Sequence, residues 1–277
     1  MKLNKPDNFR SNKPSILFIH GFASNHHVFD TNIAVLTKNF NCFTLDLFAG
    51  IHSSATMPNV HVEHFALQIV EELKKLQLAS LTICGHSYGG QIAIHAAAHS
   101  PGLIEQLILI APSGIETFNQ FEQMMAQPFI PWAARQISGN AEDFLRFAFR
   151  NYSKDAHAFV SKISADYISQ TGKHIQSVTT KVFAEIISAP TFSLLQKITK
   201  PALIIFGEVD QIIPNMMAHP FLSTRIIAAN AAKQLPCGSF KLIPHSGHFV
   251  MWEQGALVNE LIYKFAYTST VIQPSLQ

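Results

Sequence analysis

The sequence predicts an α/β protein, with a mostly parallel central sheet flanked by helices and a block of helices inserted near its middle. Three observations predict it. Apolar, partly β-branched runs of five or six residues alternate with helix-forming stretches up to Ala111 and again from Pro201. A glycine-rich turn at Gly85–Gly90 joins one such run to an alanine-rich helix former. Between Ser113 and Pro190 the strand signal stops, and the sequence is helical in character and dense in aromatic rings.

Each element has its own signal. Ser15–Ile19 is a continuous apolar run, as expected of a parallel strand buried on both faces. Asn41–Asp46 is the next strand, followed to about Val60 by a loop rich in Gly, Ser, His and Pro. Val62–Leu76 places Phe65, Ile69, Leu73 and Leu76 on one helical face. Leu81–Cys84 is a strand, Gln91–Ala98 a helix and Gln106–Ala111 another strand. After Pro112 come Phe118, Phe121, Phe129, Trp132, Phe144, Phe147, Phe149, Tyr152, Phe159 and Tyr167. These rings belong to an inserted helical lid, most of them forming its own core and some lining a pocket beneath it. The sheet resumes at Pro201–Phe206. A helical stretch is expected from Asn215 to Lys233, a last strand at Ser239–Ile243, a helix from Glu253 to Tyr267, and a loose tail from Thr268 to Gln277. The chain therefore divides into a core (1–112), a lid (113–190) and the rest of the core (191–277), as one domain.

Composition removes several classes of function. Of 277 residues, 48% are hydrophobic and 14% charged, which supports a large buried core and excludes a disordered chain. The 20 basic and 18 acidic residues leave a net charge of +2, with no basic run beyond Lys74-Lys75. No nucleic-acid partner is expected from that balance. Three cysteines, Cys42, Cys84 and Cys237, give neither a disulfide framework nor a zinc cluster. The apolar run Ile16–Ile19 is too short for a signal-peptide core, and no run reaches the length of a membrane span. The expectation is a cytoplasmic protein without stable membrane insertion. Fourteen histidines are scattered without a metal-binding spacing, so no metal or cofactor is expected.

The chemistry concentrates on four strand ends, where functional groups gather in a parallel sheet. Gly85-x-Ser87-x-Gly89 fits a serine lifted on a tight strand-to-helix turn, with its near neighbours almost free of side chains. Asp210 follows the resumed strand and His248 follows the last one, which gives the chain order Ser, Asp, His. Ser87 is then the nucleophile, His248 the base that takes its proton, and Asp210 the acid that orients the imidazole. His245 is the rival base and Glu116 the rival acid. The backbone N–H groups of Phe22 and Tyr88 are the expected donors to the oxyanion. His20 is expected to pin the oxyanion loop, His86 to pack beside the serine, and Asp46 to brace its loop. Ser24 and Asn25 either offer polar contacts to substrate or cap their loop, and His26, His27 and His52 are either solvated loop residues or part of the pocket rim.

Together, His20-Gly21-Phe22, Asp46, Gly85–Gly90, Pro201–Asp210 with Ile213-Pro214, and Gly247-His248-Phe249 resemble the lidded, single-domain branch of the α/β-hydrolase superfamily. The resemblance covers most of the chain outside the lid. Three departures stand out. The dozen polar residues before Ser15 leave room for at most one of the family's two leading antiparallel strands. Leu47–Ser54 keeps little of the family's loop after Asp46, which bears on the pocket. The segment from Pro214 to Pro236 is long, as an extended helix would make it. The resemblance implies a serine hydrolase acting by acyl transfer, most simply on a carboxylic ester of an apolar small- to medium-chain acid. Two alternatives remain: a C–C bond hydrolase of a ring-cleavage product, and a non-catalytic ligand-binding sensor on the same fold.

Overall fold

The computed structural model describes residues 1–56, 59–78, 80–189 and 191–271. The first part of the core runs β1 (Lys2–Asn4), β2 (Ser15–Ile19), α1 (Asp30–Leu36), β3 (Asn41–Asp46), α2 (Val62–Leu76), β4 (Leu81–His86), α3 (Tyr88–His99) and β5 (Gln106–Ile110). Among the described residues five α-helices follow before the next strand: α4 (Gln120–Ala126), α5 (Ile130–Gly139), α6 (Ala141–Phe147), α7 (Lys154–Thr171) and α8 (Ile175–Ser188). The core then closes with β6 (Ala202–Gly207), α9 (Thr224–Gln234), β7 (Gly238–Ile243), α10 (Val250–Glu253) and α11 (Gly255–Val271).

The strands form a seven-stranded sheet in the order β1-β3-β2-β4-β5-β6-β7. β1 pairs antiparallel with β3, and all other pairs are parallel. Every residue of β2, β3, β4, β5 and β6 is buried, which is why those runs carry no polar alternation. β7 alternates between partly buried and exposed residues, as an edge strand does. α2 buries Phe65, Ala66, Ile69, Val70 and Leu73 on a single stripe. α3 is buried almost all round, and its small residues let it lie close against the sheet.

The leading antiparallel strands are reduced to one, β1, within the room the sequence leaves. Three other expectations change. The helix expected from Asn215 begins only at Thr224, after an N-cap from Ser223. The Asn215 side chain accepts the N–H groups of Met217 and Ala218, and Pro220 lacks an N–H, so the extra length is an irregular turn rather than added helix. The closing helix is split into α10 and α11, and α11 runs through 268–271, where a loose tail is expected; 272–277 lie outside the described residues. α1 has no counterpart in the sequence reading. Its Asn32 is buried and donates to the Met251 carbonyl and to Asn259 Oδ1, which ties α1 to α10 and α11.

Candidate active site

Ser87 sits between β4 and α3 with φ 51° and ψ −119°, a strained conformation for a side chain-bearing residue. The turn is held from below. The Ser87 carbonyl accepts the N–H groups of Gly90, Gln91 and Ser113 at 2.9, 3.1 and 3.1 Å. Gly89 lies so close to β2 that a Cβ there would fall 2.3 Å from the Ile19 carbonyl, and a Cβ at Gly85 would fall 2.5 Å from that of Gly89. Those two approaches are the steric reason for the glycine spacing.

His248 follows β7, and its Nδ1 lies 2.8 Å from Asp210 Oδ2. Asp210 Oδ1 accepts the N–H groups of Ile212 and Ile213 at 2.8 and 3.1 Å. A carboxylate in that position only accepts, so Nδ1 of His248 carries the proton. In the neutral ring Nε2 then keeps a lone pair able to take a proton from a hydroxyl. The His248 backbone is fixed from two sides. Its N–H donates to the Ala148 carbonyl in the helical insertion, and its carbonyl accepts from His86 Nε2 at 3.1 Å. His86 therefore donates through Nε2. Burial pushes its pKa well below the usual imidazole value, so it stays neutral.

The loop after β2 reaches the same place. A Cβ on Gly21 would fall 2.9 Å from Ser87 Cβ, so the two residues are in contact. His20 organises this loop. Its Nε2 accepts the Leu47 N–H at 3.0 Å, so Nδ1 carries the hydrogen and donates to the Gly21 carbonyl at 2.7 Å. Burial holds the His20 pKa down to about 4, which keeps that tautomer neutral. Ser24 Oγ donates to the same carbonyl. In a trans peptide the N–H points opposite the carbonyl, so fixing Gly21 C=O aims the Phe22 N–H away from His20. Tyr88 is the first residue of α3, and its N–H has no acceptor within the helix.

Phe22, Ser87 and His248 line one cavity of about 100 Å³. The rest of its wall is mainly apolar and includes Phe118, Phe144 and Phe183 from the insertion and Ile212 and Ile213 from the loop after β6. The Phe22 ring meets Phe144, Tyr167 and Phe183 edge-on at 5.8, 5.4 and 5.3 Å. Of the ten rings named in the insertion, Phe121, Phe129, Trp132 and Phe147 are exposed, and the other six are buried or half-buried.

The rival acid and base have other surroundings. Glu116 lines the cavity, but its carboxylate accepts from the Asn215 N–H and from His219 Nδ1, not from His248. His245 is exposed, with φ 56°. Ser24 and Asn25 are buried loop residues, the latter capping His27 N–H and donating to Asp166. None of Ser24, Asn25, His26, His27 or His52 lines the cavity, and neither does the loop Leu47–Ser54. That loop acts at one remove: Phe48 packs on Tyr167 at 5.6 Å, and Leu47 holds His20. Among the described residues no group of three or more His, Cys, Asp or Glu could hold a metal ion.

Two contributors carry no sequence motif. Glu253 accepts the N–H groups of Gly247, Arg150 and Asn151, which joins the His248 loop to the insertion. Gln91 is buried beneath the serine turn. A downstream carboxylate or amide facing inward gives no signal until the fold brings its partners together.

The Asp46 carboxylate braces the loop after β2 rather than its own: Oδ1 accepts the His26 N–H, and Oδ2 accepts from Asn4 Nδ2 on β1. Burial alone would raise its pKa, but hydrogen bonds from His26 and Asn4 outweigh it and hold the carboxyl well below the usual range. The Asp46 hydrogen bond in turn raises His26. The depressed Asp46 stabilises the fold above its unfolded pKa of about 3.9, and the raised His26 does so below about 6.5. The Tm difference between wild type and His26→Gln should therefore be widest near pH 5.5 or so. It should narrow as pH rises and His26 deprotonates, and as pH falls and Asp46 protonates. A difference that stays flat across thermal melts from acid to alkaline buffers would remove the pair from the account.

The sheet order, the strand–turn–helix at Ser87 and the helical insertion after β5 define an α/β hydrolase. The family model described as alpha/beta hydrolase fold matches residues 14–254, and the chain belongs to that family. It is similar to an uncharacterised hydrolase, YugF, of Bacillus subtilis, with 26% identity over 91% of this chain and 90% of the relative. It is similar to human monoacylglycerol lipase ABHD6, with 26% identity over 91% of this chain and 75% of the relative. In fold it is similar to a thermophilic esterase from Thermogutta terrifontis, with a TM-score of 0.75, 20% identity, and 96% and 93% of the two chains covered. Among the described residues no helix is long and apolar enough to cross a membrane.

Proposed function

We propose that the protein is a serine hydrolase that transfers the acyl group of a carboxylic ester, with an apolar small- to medium-chain acid, to water. Ser87 Oγ attacks the ester carbonyl as His248 Nε2 takes its proton. Asp210 holds the imidazole and balances its charge. The N–H groups of Phe22 and Tyr88 donate to the oxyanion of the tetrahedral intermediate. Its collapse breaks the bond to the alcohol, which leaves with the proton from His248. Water, deprotonated by His248, then attacks the acyl-enzyme and releases the acid. The helices α4–α8 act as a lid whose underside receives the acyl chain.

One observation carries this reading: a strained serine and a histidine already bonded to a buried carboxylate line one mainly apolar cavity. The names of the relatives, a lipase and an esterase, support the same reaction class. The test is hydrolysis of nitrophenyl esters from acetate to palmitate. Turnover is expected to peak at a short or medium chain. Absence of turnover by folded protein across the series would reject ester hydrolysis and leave the C–C hydrolase and sensor alternatives.

A further inference from the structure

Gln91 lies on α3 one turn after Ser87, is fully buried, and does not line the cavity. Its amide bridges three places that are far apart in sequence. Nε2 lies 3.2 Å from the Glu185 carbonyl in α8 and 3.0 Å from Thr191 Oγ1. Oε1 lies 2.8 Å from Ser113 Oγ. A carbonyl only accepts, so the amide nitrogen must face Glu185, which leaves the oxygen to accept from the Ser113 hydroxyl. The amide therefore has one orientation and is fully satisfied in it.

The three partners are not arbitrary positions. Ser113 opens the helical insertion after β5, Glu185 lies in its last helix, and Thr191 begins the return to the core. The two ends of the insertion thus meet on one side chain of the helix that follows Ser87. The junction is tight: Gly114 has φ 79°, and a Cβ there would fall 2.8 Å from both Gln91 Cγ and Thr191 Cβ. His95, the next turn of α3, adds a second prop through Nε2 at 3.0 Å from Thr191 Oγ1. The Ser113 N–H also donates to the Ser87 carbonyl, so the serine turn and the junction share a residue.

We propose that Gln91 is a positioning residue: it clasps both ends of the insertion and sets the rings of α6 and α8 over the pocket, so that it selects for acyl groups long enough to reach them. The activity readout rests on the ester-hydrolase reading, and the exchange readout does not. Gln91→Met keeps similar bulk and removes all three hydrogen bonds. In hydrogen exchange followed by mass spectrometry, the variant should exchange faster at both ends of the insertion, around Ser113 and around Glu185, by about tenfold, with β4 and β5 unchanged. With nitrophenyl octanoate against acetate, the ratio of kcat/KM should fall by about tenfold, mainly through KM for octanoate. Thr191→Val, which keeps shape and removes the hydroxyl, should move both readouts in the same direction and serves if Gln91→Met does not fold. Unchanged exchange at either end, or an unchanged ester ratio in a protein that has only lost thermal stability, overturns the proposal. If wild type turns over no ester, the hydrolase reading fails while the exchange comparison still decides the clasp.

Discussion

Ser87→Ala is expected to lower turnover of the best nitrophenyl ester on the order of a million-fold in kcat, with the protein still folded. The loss is that large because no other residue can replace the attacking oxygen, and donors left around an empty position have little to stabilise. Folding should survive because the turn is held by the Ser87 carbonyl and its glycine neighbours rather than by the hydroxyl. Alanine meets the same backbone strain as serine at φ 51°. A fluorophosphonate probe makes a second readout: wild type should be labelled and the variant should not. Labelling that persists in Ser87→Ala would place the nucleophile elsewhere. A folded wild type that resists the probe would favour the sensor alternative.

Asp210→Asn should cost about ten-thousand-fold in kcat with little change in Tm, and the hydrogen bonds say why. One carboxylate oxygen already accepts the N–H groups of Ile212 and Ile213, so an asparagine must keep its carbonyl there. Its NH2 then faces His248 Nδ1, which has to accept instead of donate. The imidazole shifts its hydrogen to Nε2, the nitrogen that should receive the serine proton. The same nitrogen cannot do both. A fully active Asp210→Asn variant, with activity lost instead in Glu116→Gln, would move the acid to the rival position.

Much of this was legible in the sequence because it depends on local rules. Buried parallel strands need unbroken apolar runs, so Ser15–Ile19 and Asn41–Asp46 are read with the boundaries the structure gives. The serine turn needs glycines at fixed offsets. A strand end needs a short loop to present Asp210 or His248. The residues that escaped reading depend on distant partners. α1 is a seven-residue helix with Thr and Asn in its first turn, a weak local signal offset by Asn32 bonding to Met251 and Asn259. The turn at 215–222 mimics helix in composition, yet the Asn215 side chain competes for its backbone N–H groups. Glu253 and Gln91 act through hydrogen bonds that span 103 and 100 residues. Which rings of the insertion turn inward is likewise a packing outcome: Phe144 lines the cavity, whereas Phe147, three residues on, is exposed.

Phe22 has a consequence for anyone who would exchange parts between relatives. Its backbone N–H belongs to the proposed chemistry, while its ring is wedged among Phe144, Tyr167 and Phe183 of the insertion. The cap and the reaction centre therefore share a residue and are not separable modules. A chimera that grafts a foreign cap to gain a new chain-length preference would also lose the seat of that ring, and with it the aim of the donor. Retuning such an enzyme calls for changes made one side chain at a time along the cap's inner face, with the three rings around Phe22 left in place.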